Sequence, residues 1–194
     1  MRILEWLFGK PDATRGWRAR PDLALEIDLS RHSLAGVSIG DPVCGLAPLG
    51  KADRCDRGRG ENYYRYYSRG LEFAEADGRV VFYGFTFLDD FGDGFEKFRG
   101  RCVWIDRDLH FSFATGEPEI LARLGGPFWR DEDEKEITLF YEFPGRAIEW
   151  QLELTKEGKL KFLLITTPPL LSESHVREAY GVTKPWPPAI PSPA

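Results

Sequence analysis

The segment Gly36-Val37-Ser38-Ile39-Gly40 sets a serine between two glycines at the spacing of a nucleophile elbow. In such an elbow a strand runs into a sharp turn and a helix, lifting the hydroxyl toward a histidine backed by an acid. His110 or His175 with Asp106 would have to complete the set, so Ser38 is the one candidate nucleophile, for ester hydrolysis. Against that chemistry, the nearest clear strand pattern ends at Leu29 and the surrounding patterns read as antiparallel. The segment then reads as a loop leading into a short helix.

Asp89-Asp90-Phe91-Gly92-Asp93-Gly94 has the carboxylate density of a calcium loop. With Asp93-Gly94 at the fifth and sixth positions of such a loop, Phe91 and Gly100 fall where oxygen donors are required. His32, His110 and His175 are far apart, and Cys44, Cys55 and Cys102 form no CxxC pair. No metal site, no cofactor and no disulfide framework is therefore expected, and a reducing, cytoplasmic compartment fits the thiols. Arginines near Cys55 would favour its thiolate, but the sequence supplies no partner base.

Residues 51–69 interleave Lys51, Arg54, Arg57, Arg59, Arg65 and Arg69 with Tyr63, Tyr64, Tyr66 and Tyr67. Rings among guanidinium groups can stack on bases and hold phosphates. The weak candidates for a binding site are accordingly Arg57, Arg59, Tyr64 and Tyr66. Asp53, Asp56 and Glu61 leave this stretch at only +3, inside a chain of net charge −5 and pI about 5.3. That balance argues against nucleic acid and anionic membranes. The run Asp131–Glu136 is an acidic counterpart to the basic loop, so the two could orient a partner by charge.

The elements that carry these residues follow from periodicity. Ile148, Trp150, Leu152 and Leu154 alternate with Glu149, Gln151 and Glu153, the signature of a half-buried antiparallel strand. Lys156-Glu157-Gly158-Lys159 turns the chain into 160–167, and Asp77-Gly78 makes a similar hairpin between 71–75 and 79–87. Alternation also predicts strands over 23–29, 109–113 and 137–143. In 41–50, Asp41 is expected to cap a short helix, with Pro42 first, Val43, Leu46 and Leu49 on one face and Gly50 as its stop. A second short helix is expected to begin at Thr115 or Glu117, with Ile120, Leu121 and Leu124 on its face, and to end at Gly125. The Met1–Gly9 stretch reads as a short amphipathic helix rather than an export signal. Residues 172–181 read as a terminal helix capped by Ser172 or Ser174, and 185–194 as a polyproline-like tail with PxxP spacing at Pro188–Pro191.

Comparison of the chain with itself adds an internal repeat. Gly40-Asp41-Pro42 followed by Leu46-Ala47-Pro48-Leu49-Gly50 matches Gly116-Glu117-Pro118 followed by Leu121-Ala122-Arg123-Leu124-Gly125. The resulting expectation is an α+β fold of two tandem helix-plus-antiparallel-sheet repeats, in one continuous or paired sheet with short helices on one face. The boundaries are 1–22 for the N-terminal helix and linker, 23–100 and 101–171 for the repeats, and 172–194 for the terminal helix and tail.

A short helix ending in Leu49-Gly50, or in Leu124-Gly125-Gly126-Pro127, and leading into an antiparallel meander resembles the BamE/SmpA-like unit. Its tandem form is similar to the β-lactamase inhibitor protein family. The resemblance covers about residues 30–167 and implies a concave sheet that grips another protein. It transfers no binding residue, and the exported location and disulfides of those groups have no counterpart in this sequence. The functional expectation is a non-catalytic protein-binding or inhibitor-type module, which contacts its partner through an aromatic sheet face or a charged loop. The alternatives are a small serine hydrolase using Ser38 and a small-ligand-binding protein.

Overall fold

The computed structural model describes residues 12–58, 60–88 and 94–186. The N-terminal helix expected at 1–9, Arg59, the Asp89–Asp93 part of the acidic loop and the tail from 187 lie outside the described residues.

The described chain opens with three short strands, β1 (Glu26–Asp28), β2 (Ser33–Leu34) and β3 (Val37–Ser38), then a 3-10 helix over Val43–Leu49. Four strands follow: β4 (Arg54–Arg57), β5 (Glu61–Tyr66), β6 (Leu71–Ala76) and β7 (Arg79–Thr86). A hairpin, β8 (Arg101–Trp104) and β9 (Arg107–Asp108), leads to helix α1 (Glu117–Leu124). Four more strands complete the sheets: β10 (Trp129–Glu132), β11 (Glu136–Phe143), β12 (Ile148–Thr155) and β13 (Leu160–Thr166). Helix α2 (Ser174–Ala179) comes last.

β4 to β7 and β10 to β13 are two antiparallel meanders that meet edge to edge, giving the order β10-β11-β12-β13-β7-β6-β5-β4. The joining pair, β13 with β7, is antiparallel and registers Leu164 opposite Gly84. A smaller sheet of order β3-β2-β1-β8-β9 contains one parallel pair, β1 with β8. Strands within 26–38 and 101–108 are thereby tied into the same sheet across the boundary expected at 100. The architecture is α+β, rich in antiparallel strand and poor in helix. No helix among the described residues is long and apolar enough to cross a membrane.

One face of the large sheet supplies the core. Tyr64, Phe73, Tyr83, Phe85, Leu152, Leu163 and Ile165 are all fully buried there, with Trp150 nearly so. Burial of rings and aliphatic chains on this scale, about 2–3 kcal/mol each, is what holds such short elements in place. The small sheet, the 3-10 helix and α1 cover this face through Ile27, Leu34, Leu46, Leu49 and Ile120.

The segment 43–49 forms a 3-10 helix rather than an α-helix. Its buried residues Val43, Leu46 and Leu49 recur every three positions, which aligns them at three residues per turn, and Pro48 removes a backbone donor. Asp41 does not cap it; its carboxylate accepts from the Ser38 backbone N–H at 2.8 Å, and Pro42 occupies the cap position. The helix ends are held by an equivalent bond in each half. Tyr66 Oη donates to the Gly50 carbonyl at 2.7 Å, and Tyr141 Oη donates to the Gly125 carbonyl at 2.9 Å. Gly50 has φ 80°, and a Cβ there would come within 2.8 Å of the Ala19 backbone, so only glycine fits this stop.

Two strand expectations and one helix expectation are modified. Of 23–29 only Glu26–Asp28 pairs, and 109–113 is irregular, with Leu109 buried behind β9. The terminal helix runs from Ser174, after a 3-10 turn at Leu170–Ser172, and Glu173 holds its cap position in place of either serine. It also lies on the opposite face of the sheet from the other helices. Tyr180 packs edge-on against Phe140 with ring centroids 5.0 Å apart, and Phe140 alternates with the core residues Leu139 and Tyr141.

Candidate functional site

The sequence-derived candidates are not brought together. Ser38 ends the two-residue β3 and pairs with Ser33. The one hydrogen bond seen at Ser38 that involves a side chain runs from its backbone N–H to Asp41. His110 contacts Asp108 and His175 contacts Glu173, each on an exposed segment away from β3. The strand-to-helix elbow is absent, because β3 is the edge of an antiparallel ribbon. Tyr64 and Tyr66 are buried in the core, so as surface contacts they are corrected to structural residues. The alternation that makes β5 a strand sends both inward and leaves Tyr63 and Arg65 on the other face.

Arg57 lies at the exposed end of edge strand β4. Much of the basic stretch is neutralised locally: Arg54 pairs with Asp56, and Arg65 pairs with Asp56 and Glu72. Cys44, Cys55 and Cys102 are free thiols. Burial, followed by nearby Asp12, pushes the Cys55 thiol up against the opposing effect of Arg57, contrary to the activation its arginines suggested. No cluster of three or more metal-ligating residues occurs among the described residues.

A different constellation is assembled where the small sheet meets β11 and β12. The β8–β9 hairpin pairs Trp104 with Arg107, leaving Ile105 and Asp106 as a two-residue turn. Both turn residues are left-handed, with φ 49° and 60°. This is the type I′ geometry, in which Asn-Gly is favoured and a β-branched residue is strained. Ile105 is nevertheless 65% exposed, and its backbone N–H is tied to Ser30 Oγ at 2.9 Å. An apolar, strained residue is thus held at the tip of a fixed hairpin.

Behind the tip lies a nest of aromatic rings. Trp104 meets Trp150 edge-on at 5.1 Å between centroids, Phe143 lies 4.3 Å from Trp150, and His32 lies 5.0 Å from Phe143. His32 is only 3% exposed and itself left-handed, with φ 52°. Trp150 Nε1–H donates to His32 Nδ1 at 2.8 Å. That bond leaves the ring proton on Nε2. Burial, reinforced by the Arg146 guanidinium and opposed by Asp28, lowers the His32 pKa to about 4, so the imidazole is neutral near pH 7. Arg146 Nη1 donates to the Ser30 carbonyl at 2.9 Å.

These groups line an open hollow of about 230 Å³, bounded by Ser30, His32, Trp104, Ile105, Phe143 and Arg146. On the other side of Trp104 and Ile105 a larger hollow of about 510 Å³ is bordered by Arg107 and Arg123. Arg123 pairs with Glu119, while its Nη1 is buried without a hydrogen-bond partner. Among the described residues neither Arg107 nor Arg146 takes part in an ion pair. The ridge is therefore apolar, edged by three guanidinium groups and by the Asp108 carboxylate, which pairs with Arg101, in a chain that is acidic as a whole. It contains no paired nucleophile and base: Ser30 Oγ accepts from a backbone N–H, and His32 Nδ1 is occupied.

No local signal marks these residues in the sequence. Trp104-Ile105-Asp106-Arg107 lacks the glycine or asparagine that announces a hairpin, and His32 and Trp104 are far in sequence from each other and from the hairpin that carries Phe143 and Trp150.

Fold and site together describe an α+β chain on an eight-stranded antiparallel sheet, with an aromatic, arginine-edged hollow beside an exposed hairpin tip. No family model and no curated protein matches the sequence. Solved structures that resemble the fold include a DUF4309 family protein, YjgB, from Bacillus subtilis. It is 11% identical, with a TM-score of 0.44, over 68% of this chain and 82% of that one. Another is a cysteine-rich secretory protein from Staphylococcus aureus, 13% identical, with a TM-score of 0.44, over 71% of this chain and 46% of that one.

Proposed function

We propose that this chain is a non-catalytic binding module that docks a partner protein on the ridge formed by Trp104 and Ile105. The observation that carries the reading is Ile105 itself. A β-branched residue at φ 49° is unfavourable, and exposing it at 65% gains nothing from burial within the chain. Strain at an exposed apolar position is explained when a second molecule covers it. The flanking Arg107, Arg123 and Arg146 favour a partner whose contact surface is acidic around an apolar centre.

The finer reading of the fold belongs with this proposal: two copies of one unit, duplicated in tandem. It is supported by the order of elements, a short helix and then four antiparallel strands in each half, and by the paired tyrosine bonds to Gly50 and Gly125. On this reading the chain has the tandem BamE/SmpA-like architecture, whose members grip other proteins.

Ile105→Asn provides the test. Asparagine suits the left-handed first position of the turn, so the variant is expected to be more stable than the parent by about 1 kcal/mol in urea unfolding. It is also expected to retain at least about tenfold less of the partner that the immobilised parent captures from lysate of the producing cells, as for loss of an interface anchor. Identical capture by parent and variant would overturn the reading.

A further inference from the structure

The hollow behind Ile105 has a polarity that the docking ridge alone does not require. We infer that it is a carboxylate-binding subsite, seating an acidic group on an apolar stem between Arg146 and His32; this rests on the proposed docking of a partner at the same ridge.

The chemistry is set by which atoms are already occupied. His32 is almost wholly buried, yet lines the hollow. Its Nδ1 is taken by Trp150, so the ring can offer only an Nε2–H donor. Arg146 spends one N–H on the Ser30 carbonyl and has no carboxylate partner among the described residues, which leaves guanidinium donors for an anion. The Ser30 hydroxyl is held by the Ile105 N–H, coupling the hollow directly to the strained tip. Asp28, the nearest acid influencing His32, is turned to the backbone N–H groups of Ser30 and Arg31 and to the Arg31 side chain. Donors are therefore present with no carboxylate among the lining residues, and Trp104 and Phe143 supply the apolar walls. A volume of about 230 Å³ suits one side chain or one ring, and is below the range typical of larger ligands.

An apolar-stemmed carboxylate has two sources, an acidic side chain or C-terminus of the partner, or a free small acid. Phenylacetate is the probe for both, with phenylacetamide as its neutral isostere. In ¹H–¹⁵N spectra of the full chain, phenylacetate is expected to shift the Ile105 amide and the Trp104 indole signals with a Kd on the order of 1 mM. Phenylacetamide is expected to bind about tenfold more weakly, as is phenylacetate to Arg146→Met, from loss of a charge-assisted contact.

The isostere comparison uses the parent chain alone, so it stands even if Arg146→Met is poorly folded. No shift at these two signals, or equal binding of acid and amide, would overturn the inference while leaving Ile105-dependent capture intact. Saturating phenylacetate is then added to the captured partner. Displacement identifies the occupant as a carboxylate of that partner, and binding without displacement identifies a free acid. Loss of the Ile105→Asn effect on capture with phenylacetate binding retained would sink the docking proposal and keep the subsite.

Discussion

Trp150→Ala is expected to lower the stability of the whole chain by about 3–5 kcal/mol, the range for deleting a buried large ring. Trp150 is 1% exposed and sits where the large sheet, the small sheet and the hollow meet. Its ring contacts His32, Trp104, Tyr141 and Phe143. Removing it creates a cavity that the surrounding strands cannot close, because β11 and β13 pair with β12 on both sides. Trp150→Phe separates packing from hydrogen bonding. It keeps most of the apolar volume and leaves His32 Nδ1 buried without its donor, at a cost of about 1–3 kcal/mol. Urea unfolding followed by circular dichroism measures both. A loss below about 1 kcal/mol for the alanine variant would show that the aromatic nest does not hold the two sheets together.

The second large effect is a pH dependence on the opposite face of the large sheet. Glu142 and Glu149 stand directly opposite each other on β11 and β12. Glu149 is fully buried and accepts from Gln151 Nε2 and from the Leu171 backbone N–H. Both carboxyl oxygens of Glu142 are buried, and burial followed by the neighbouring Glu149 carboxyl pushes its pKa well above the ordinary carboxylate range. The folded state thus keeps a proton on Glu142 that the unfolded state releases near pH 4.5. The stabilisation linked to that proton is complete below about pH 4.5 and is lost progressively as pH rises toward the raised folded-state pKa.

Glu142→Gln keeps the shape, holds a permanent donor toward Glu149 and has no proton to lose. It is expected to be more stable than the parent at pH 8 by at least about 1 kcal/mol, or several degrees in Tm, with a visibly flatter pH profile. Thermal unfolding at pH 5 and pH 8 decides the matter; a parent profile that is flat between them would show that Glu142 is not the proton carrier.

Much of the scaffold was legible because its signals are local. β12 follows from the alternation of Ile148, Trp150, Leu152 and Leu154 with polar residues, and the hairpin at Asp77-Gly78 from the φ values only such residues adopt readily. The helix stops at Gly50 and Gly125 were equally plain. The 3-10 form of 43–49 was latent in apolar residues every three positions. The functional candidates fared differently. Ser38 and the arginine–tyrosine stretch drew attention through composition and spacing, while their surroundings pair the arginines with acids and bury Tyr64 and Tyr66.

The amino-acid sequence by itself determined the strand periodicity, the turns, the helix stops and the acidic balance of the chain, since each is fixed by a residue and its near neighbours. The pairing of β13 with β7, the parallel run of β1 beside β8, and the gathering of His32, Trp104, Phe143 and Arg146 around one hollow arise from long-range packing. Those outcomes depend on contacts between residues up to 118 positions apart, such as Trp150 and His32, whose energy exists only once the intervening chain has folded. The left-handed Ile105 belongs with them: local preference opposes it, and the hairpin and Ser30 impose it.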